Sequence, residues 1–201
     1  LKLPSRLAIL TALDATAPDD WESVVARFCA DLERPTLHPA TRPSCPYPGM
    51  VPFSEADSGR FFGRDEEVRE LLERLRLHPF LTVIGPSGSG KSSLVFAGLV
   101  PALRESGLFG PGTWLVRTMR PGEARFATPW DALAAALNGD PAHPARAAAD
   151  LLADAPGARR LLLVVDQFEE LFRSDIEDRA DFQEALQHLM QVPDCYVVLT
   201  V

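Results

Sequence analysis

The run Gly85-Pro86-Ser87-Gly88-Ser89-Gly90-Lys91-Ser92 has the spacing GxxxxGK[ST]. That spacing lets backbone N–H groups wrap a polyphosphate. Glycine serves here because the chain must adopt positive φ and come close to an anion, which a Cβ would obstruct. A helix opening at Lys91 adds the positive end of its dipole and unpaired N–H groups. Lys91 can then reach the β- and γ-phosphates as a point charge, which also counts it among the catalytic groups. The hydroxyl of Ser92 is placed to sit on Mg²⁺, and Ser93 extends the polar helix start as a further nucleotide-binding residue. The β-rich run 80–84 before this loop and the apolar helical spacing of 94–103 after it set it apart from a Gly/Ser linker.

A second stretch supplies what the first lacks. In "RRLLLVVDQFEELF" an apolar strand ends in Asp166, at the carboxyl end where parallel strands present residues to ligands. An acidic residue there can hold Mg²⁺ directly or through water, since that ion keeps several waters and uses few carboxylates. Glu169 and Glu170 follow within one turn. Either could orient or deprotonate the water that attacks a γ-phosphate, and the other is then a structural or surface charge.

These residues need a scaffold, and the pattern around them predicts one. Strands are expected over 80–84, 114–118, 161–165 and 196–201, and helices over 65–77, 91–104, 130–137, 145–153 and 179–191. Val68, Leu71, Leu72 and Leu75 should form the inward face of the first helix. Such alternation implies right-handed βαβ units and an α/β fold with a parallel sheet covered on both faces.

Upstream, Trp21, Val24, Val25, Phe28, Cys29 and Leu32 share one helical stripe over 18–32, with Asp19 or Asp20 as N-cap. Another helix is expected over 5–13. Residues 1–34 therefore read as a helical segment, either the end of an effector or adaptor domain or a clamp on the next unit. Prolines at 35, 39, 43, 46, 48 and 52 make 35–60 an extended linker or a belt along a surface. Tyr47, Met50, Val51 and Phe53 suggest that its second half is docked. The nucleotide-binding domain is assigned to 61–201. The chain opens without Met and ends inside an apolar run, as expected of a piece of a longer polypeptide.

The 201 residues are 46% hydrophobic and 24% charged, with a formal net charge of −8, which suits a globular domain and argues against a general nucleic-acid surface. The alternating Arg and Glu of "VRELLERLR" read as a solvated helix face. Cys29, Cys45 and Cys195 lack CxxC spacing, and the four histidines form no ligand pair at metal spacing. A disulfide framework or zinc site is not expected, and a reducing cytoplasm fits best. No apolar run approaches the length of a membrane span.

Three stretches together, "CPYPGMVPFSEADSGRFFGRDEEVRELLERL", "TVIGPSGSGKSSLVFAGLVPAL" and "LLLVVDQFEELF", resemble the novel STAND NTPases, a branch of the signal-transduction ATPases with numerous domains. The likeness runs from about residue 45 to 201. It implies a P-loop NTPase fold of the additional-strand type: three layers, a parallel sheet, and the strand over 196–201 lying between those over 80–84 and 161–165. It also implies that Gly63 and Arg64 belong to the nucleotide site, with Phe61 and Phe62 packing near the base; Arg64 alone could equally be a helix-start charge. In the family the strand matching "YVVLTV" runs into an arginine that senses the γ-phosphate, followed by a further strand and a winged-helix region. Their lack here is expected to leave the ATPase module incomplete at its C-terminal end.

The function implied is an ATP/ADP-binding switch with Mg²⁺-dependent hydrolysis in the full-length protein, with protein partners or self-assembly through flanking domains and no nucleic-acid or membrane partner. Two other readings stand beside it: an interaction module that keeps nucleotide as a structural ligand, and a transporter-type ATPase subunit. The transporter reading is weakened because no LSGGQ-like segment lies between Ser93 and Arg160. A GTPase is disfavoured by the lack of an NKxD element and of a DxxG switch after the loop.

Overall fold

Five consecutive apolar residues, Leu161 to Val165, are each completely buried, a pattern that a strand shows only when both of its faces are covered. They lie in β3 (Ala158–Val165), one of four strands with β1 (Phe80–Val83), β2 (Thr113–Met119) and β4 (Cys195–Thr200). The computed structural model describes Gly49 and residues 51–109, 113–172 and 179–201. These belong to a unit that the contact pattern bounds at Pro46 and Val201. The expected helices over 5–13 and 18–32, most of the proline belt, Tyr47, Met50, Cys29, Cys45 and His38 lie outside the described residues.

All pairings are parallel, in the order β1-β4-β3-β2. β4 thus separates the two strands whose ends carry the phosphate loop and Asp166, the order that marks the additional-strand type. Because side chains alternate across a strand, β3 feeds two cores. Leu161, Leu163 and Val165 join Val197 and Leu199 on one face, against Leu133 and Leu137 of α4 (Pro129–Leu137), Ala148 of α5 (Pro144–Ala153) and Phe182, Leu186 and Leu189 of α6 (Arg179–Leu189). Leu162, Val164 and Val198 face the other way. They meet Leu72 and Leu75 of α1 (Asp65–Leu77) and Val95, Leu99, Val100 and Leu103 of the helix after the phosphate loop. The result is a three-layer α/β sandwich. Truncating one of these β3 leucines to alanine would cost about 2–5 kcal/mol.

α1 has its expected bounds. Its first turn holds Asp65, Glu66 and Glu67 and its last turn Arg74 and Arg76, charges that complement the helix dipole. Arg74–Glu70 at 2.6 Å and Arg76–Glu73 at 3.1 Å are exposed pairs on a solvated face, each worth only a few tenths of a kcal/mol. Leu72 and Leu75 are buried, while Val68 and Leu71 are partly so.

The helix after the phosphate loop departs from expectation in its interior. It runs as α2 (Lys91–Ser93), a π-helical segment (Leu94–Leu99) and α3 (Val100–Glu105), with the Val100 N–H donating to Val95 O, five residues back. Residues 94–100 are so uniformly apolar that their periodicity could not report the wider turn. Gly98 faces α1: a Cβ there would stand 2.6 Å from Val68 Cγ2 and 3.2 Å from Phe61 Cε1.

Within the region expected as linker, Glu55–Arg60 forms a 3-10 helix. Ser54 caps it, donating its N–H to Asp57 Oδ2 at 3.0 Å. Arg104 of α3 pairs with Glu55 at 2.7 Å, and Phe53 stacks obliquely on Phe61 at 5.9 Å. Among the described residues no helix is long and apolar enough to cross a membrane.

Candidate phosphate and metal site

Each half of the site grows from the carboxyl end of a parallel strand, the partly exposed edge strand β1 and the buried β3. β1 stops at Val83 and the chain turns through the loop, with Gly88 at φ +78° and Gly90, the N-cap of α2, at φ +87°. Side chains rarely adopt such angles, so glycine at these two positions allows the turn. The amide of Gly85 donates to Val201 O at 3.1 Å, and Val201 N–H donates to Val83 O at 2.9 Å. The tip of β4 therefore anchors the loop where it begins. Lys91 folds back over the loop, its Nζ donating to Gly85 O at 2.8 Å and Pro86 O at 3.2 Å.

The second half is joined to the first directly. Ser92 Oγ donates to Asp166 Oδ1 at 2.6 Å. Asp166 is fixed from behind: its N–H donates to Met119 O at 2.9 Å, and Thr200 Oγ1 donates to the same Oδ1 at 2.7 Å. Thr200 in turn accepts the Gln167 N–H at 2.9 Å. Gln167 has φ +54°, so the chain kinks immediately after Asp166, and a 3-10 turn, Phe168–Phe172, follows.

A hard, oxygen-binding cation fits this donor set. The Ser92 hydroxyl touches the Asp166 carboxylate, and Ser92 lines a polar cavity of about 360 Å³, which leaves space for the several waters that Mg²⁺ retains. Ser87, Gly88, Gly90, Lys91, Ser92 and Ser93 line that cavity, together with Gly49, Val51 and Pro52 from the proline-rich segment and Gln167 and Glu169 from the turn after Asp166. Larger hollows exist elsewhere, one of about 400 Å³ around Asn138, His143 and Asp154. No residue of the phosphate loop lines them.

The two glutamates have different surroundings. Glu169 is exposed and lines the cavity with Lys91. The Glu170 side chain is only 11% exposed. It forms an ion pair with Arg120, whose Nε donates at 2.7 Å, and accepts the Gly122 N–H at 3.0 Å. That hydrogen bond from Arg120 to Glu170 raises the guanidinium pKa above its ordinary value. Gly122 leaves room for the carboxylate, since a Cβ there would stand 2.6 Å from Glu170 Oε2.

Gly63 has φ +80°, and Arg64 caps α1. Arg64 Nη1 pairs with Glu67 at 2.8 Å and Nη2 lies 3.4 Å from Ser89 O, so this arginine touches the phosphate loop from outside. Phe61 turns toward Phe53 and Gly98, and Phe62 is exposed; neither lines the cavity around Lys91. Ser93 Oγ accepts the Phe53 N–H at 3.1 Å, which ties the "VPF" element to the start of α2.

Sequence reasoning did not single out Thr200 or Arg120. For Thr200 a signal existed: it is the one hydroxyl in the apolar run "VVLT", facing Val83 in the β1–β4 register.

A glycine loop between a parallel strand and a helix, with a strand-ending aspartate on the other side of an inserted strand, defines a P-loop NTPase. Residues 46–201 match the model of the family Novel STAND NTPase 1, and the chain belongs to that family. The comparison with curated proteins gives no match. Among solved structures, a Walker-type ATPase of Pyrococcus abyssi is similar at 17% identity and a TM-score of 0.48, over 74% of this chain and 47% of that one. The chain thus spans less than half of the length of that protein.

Proposed function

We propose that this nucleotide-binding module takes ATP and ADP with Mg²⁺, and that in the full-length protein it hydrolyses ATP and acts as a nucleotide-controlled switch. The observation that carries the reading is the 2.6 Å contact between Ser92 Oγ and Asp166 Oδ1, which joins the end of the phosphate loop to the strand-end carboxylate. The backbone N–H groups of the loop and the start of α2 bind the phosphates. Lys91 exchanges the carbonyls of Gly85 and Pro86 for the β- and γ-phosphate oxygens. Ser92 and Asp166 hold the metal ion. When bound, Mg²⁺ neutralises charge that develops across the β- and γ-phosphates.

Glu169 is the group that orients, and takes a proton from, the attacking water. Its exposure at the cavity with Lys91 supports this role and supports a hydrolysed rather than a purely structural nucleotide. Arg64, touching Ser89 O, couples α1 to the occupancy of the loop. In this reading ADP holds a closed state, a sensor elsewhere in the protein releases it, and ATP promotes assembly with protein partners in the cytoplasm.

The test is nucleotide content after purification, followed by Mg²⁺-dependent ATP turnover of the full-length protein. Retained ADP or ATP together with turnover abolished by chelation supports the reading. Protein that neither carries nor binds nucleotide would reject it.

A further inference from the structure

We propose that Thr200 is a positioning residue of this site, holding the Asp166 carboxylate and the turn that carries Glu169 in one fixed relation; the inference rests on the metal-dependent reading above. Among the described residues, Thr200 is the one polar or charged residue that is buried, with 0% exposure. A buried hydroxyl must satisfy both its donor and its acceptor, and Thr200 does so with two successive residues. It donates to Asp166 Oδ1 at 2.7 Å and accepts the Gln167 N–H at 2.9 Å.

The two bonds do different things. The first converges with that from Ser92 on Oδ1, and among the described residues Oδ2 takes no hydrogen bond. One oxygen is thereby held against rotation by two donors while the other keeps its acceptor capacity. The second bond fixes the peptide that enters the left-handed Gln167, φ +54°, a conformation that non-glycine residues adopt at a cost. This kink sends the chain into the 3-10 turn in which Glu169 faces the cavity and Glu170 faces Arg120. Thr200 stands in register with Val83, the last residue of β1. The next residue, Val201, bonds both Val83 and Gly85 through its backbone. The tip of β4 therefore holds the carboxylate, the turn and the loop start together.

Valine and serine variants separate this role from simple packing. Thr200→Val keeps the buried shape and removes both hydrogen bonds; Thr200→Ser keeps the bonds and removes a methyl group. Two measurements are made on each full-length protein: amide exchange at Gln167 without nucleotide, and the Mg²⁺ concentration that half-saturates ATP binding. We expect Thr200→Val to lose protection at Gln167 and to need about tenfold more Mg²⁺, with ATP binding in EDTA unchanged. Thr200→Ser should keep wild-type values of both. The proposal is overturned if the valine variant keeps either wild-type value, or if serine loses as much as valine. Wild-type protein that binds no ATP at any Mg²⁺ concentration would instead reject the proposed function, while the exchange comparison still decides what Thr200 holds.

Discussion

Ser92 and Asp166, 74 residues apart in sequence, meet at 2.6 Å between Oγ and Oδ1. β4 is inserted between β1 and β3, so that the two strand ends flank one residue, Thr200, that donates to the same Oδ1 of Asp166. Removing charge from one member while keeping its shape should therefore affect the metal and spare the fold. Asp166→Asn is expected to leave ATP affinity in EDTA within about twofold of wild type and to weaken the Mg²⁺ dependence by about tenfold or more. Isothermal titration with and without Mg²⁺ measures both, and equal Mg²⁺ enhancement in variant and wild type would remove Asp166 from the metal site.

Lys91 contacts only the loop carbonyls of Gly85 and Pro86 among its described partners, and it packs in neither core. Lys91→Ala should therefore melt near the wild-type temperature and bind ATP and ADP at least about tenfold more weakly, roughly 1.4 kcal/mol or more. Unchanged affinity would move phosphate binding away from this loop.

At Gly98 the helix after the phosphate loop packs tightly against Val68 of α1. An alanine there brings its Cβ to 2.6 Å from Val68 Cγ2, and that face is packed. We expect Gly98→Ala to cost about 1–3 kcal/mol by overpacking, read as a lower midpoint in urea unfolding. Val68→Ala should relieve much of it, and a double-mutant cycle gives the coupling.

The sequence disclosed the site more fully than the path of the chain between its parts. The loop, Asp166 and the strand and helix spacing were readable because each follows from a local rule: glycine at positive φ, period-two burial, a carboxylate at a strand end. Three features were not local. The π segment was hidden because residues 94–100 offer no polar position to mark a period. Thr200 meets Asp166 only when β4 is placed next to β3, a placement that came from family resemblance and not from the periodicity of "YVVLT". Glu169 and Glu170 are adjacent and chemically alike, so only the Gln167 kink and the Arg120 partner distinguish them. The helices expected in residues 1–34 lie outside the described residues.

Cys195 begins β4 beneath the core, 1% exposed, and burial pushes its thiol pKa up to about 12. The thiolate is the reactive species. At pH 8, Cys195 in the folded protein should resist iodoacetamide for hours and react within minutes in denaturant, as followed by peptide mass spectrometry. Rapid labelling of the native protein would place this strand start in solvent.

The strongest contrast in the molecule lies between the two neighbouring glutamates. Glu169 is exposed at the cavity that Lys91 lines, whereas Glu170 is held by Arg120 and the Gly122 amide. Glu169→Gln keeps the size and removes the base, so ATP binding should stay within about threefold of wild type while turnover falls by about a hundredfold or more. Glu170→Gln leaves the cavity intact but weakens the link between the end of β2 and the turn after β3. The Arg120 side chain is 44% exposed, so solvent screens much of that pair, and the loss should be about 1 kcal/mol of stability with turnover reduced only a few-fold. Single-turnover hydrolysis and urea unfolding on both variants assign the roles. Turnover lost in Glu170→Gln and kept in Glu169→Gln would reverse them, and would require the Arg120 pair to open before water is activated.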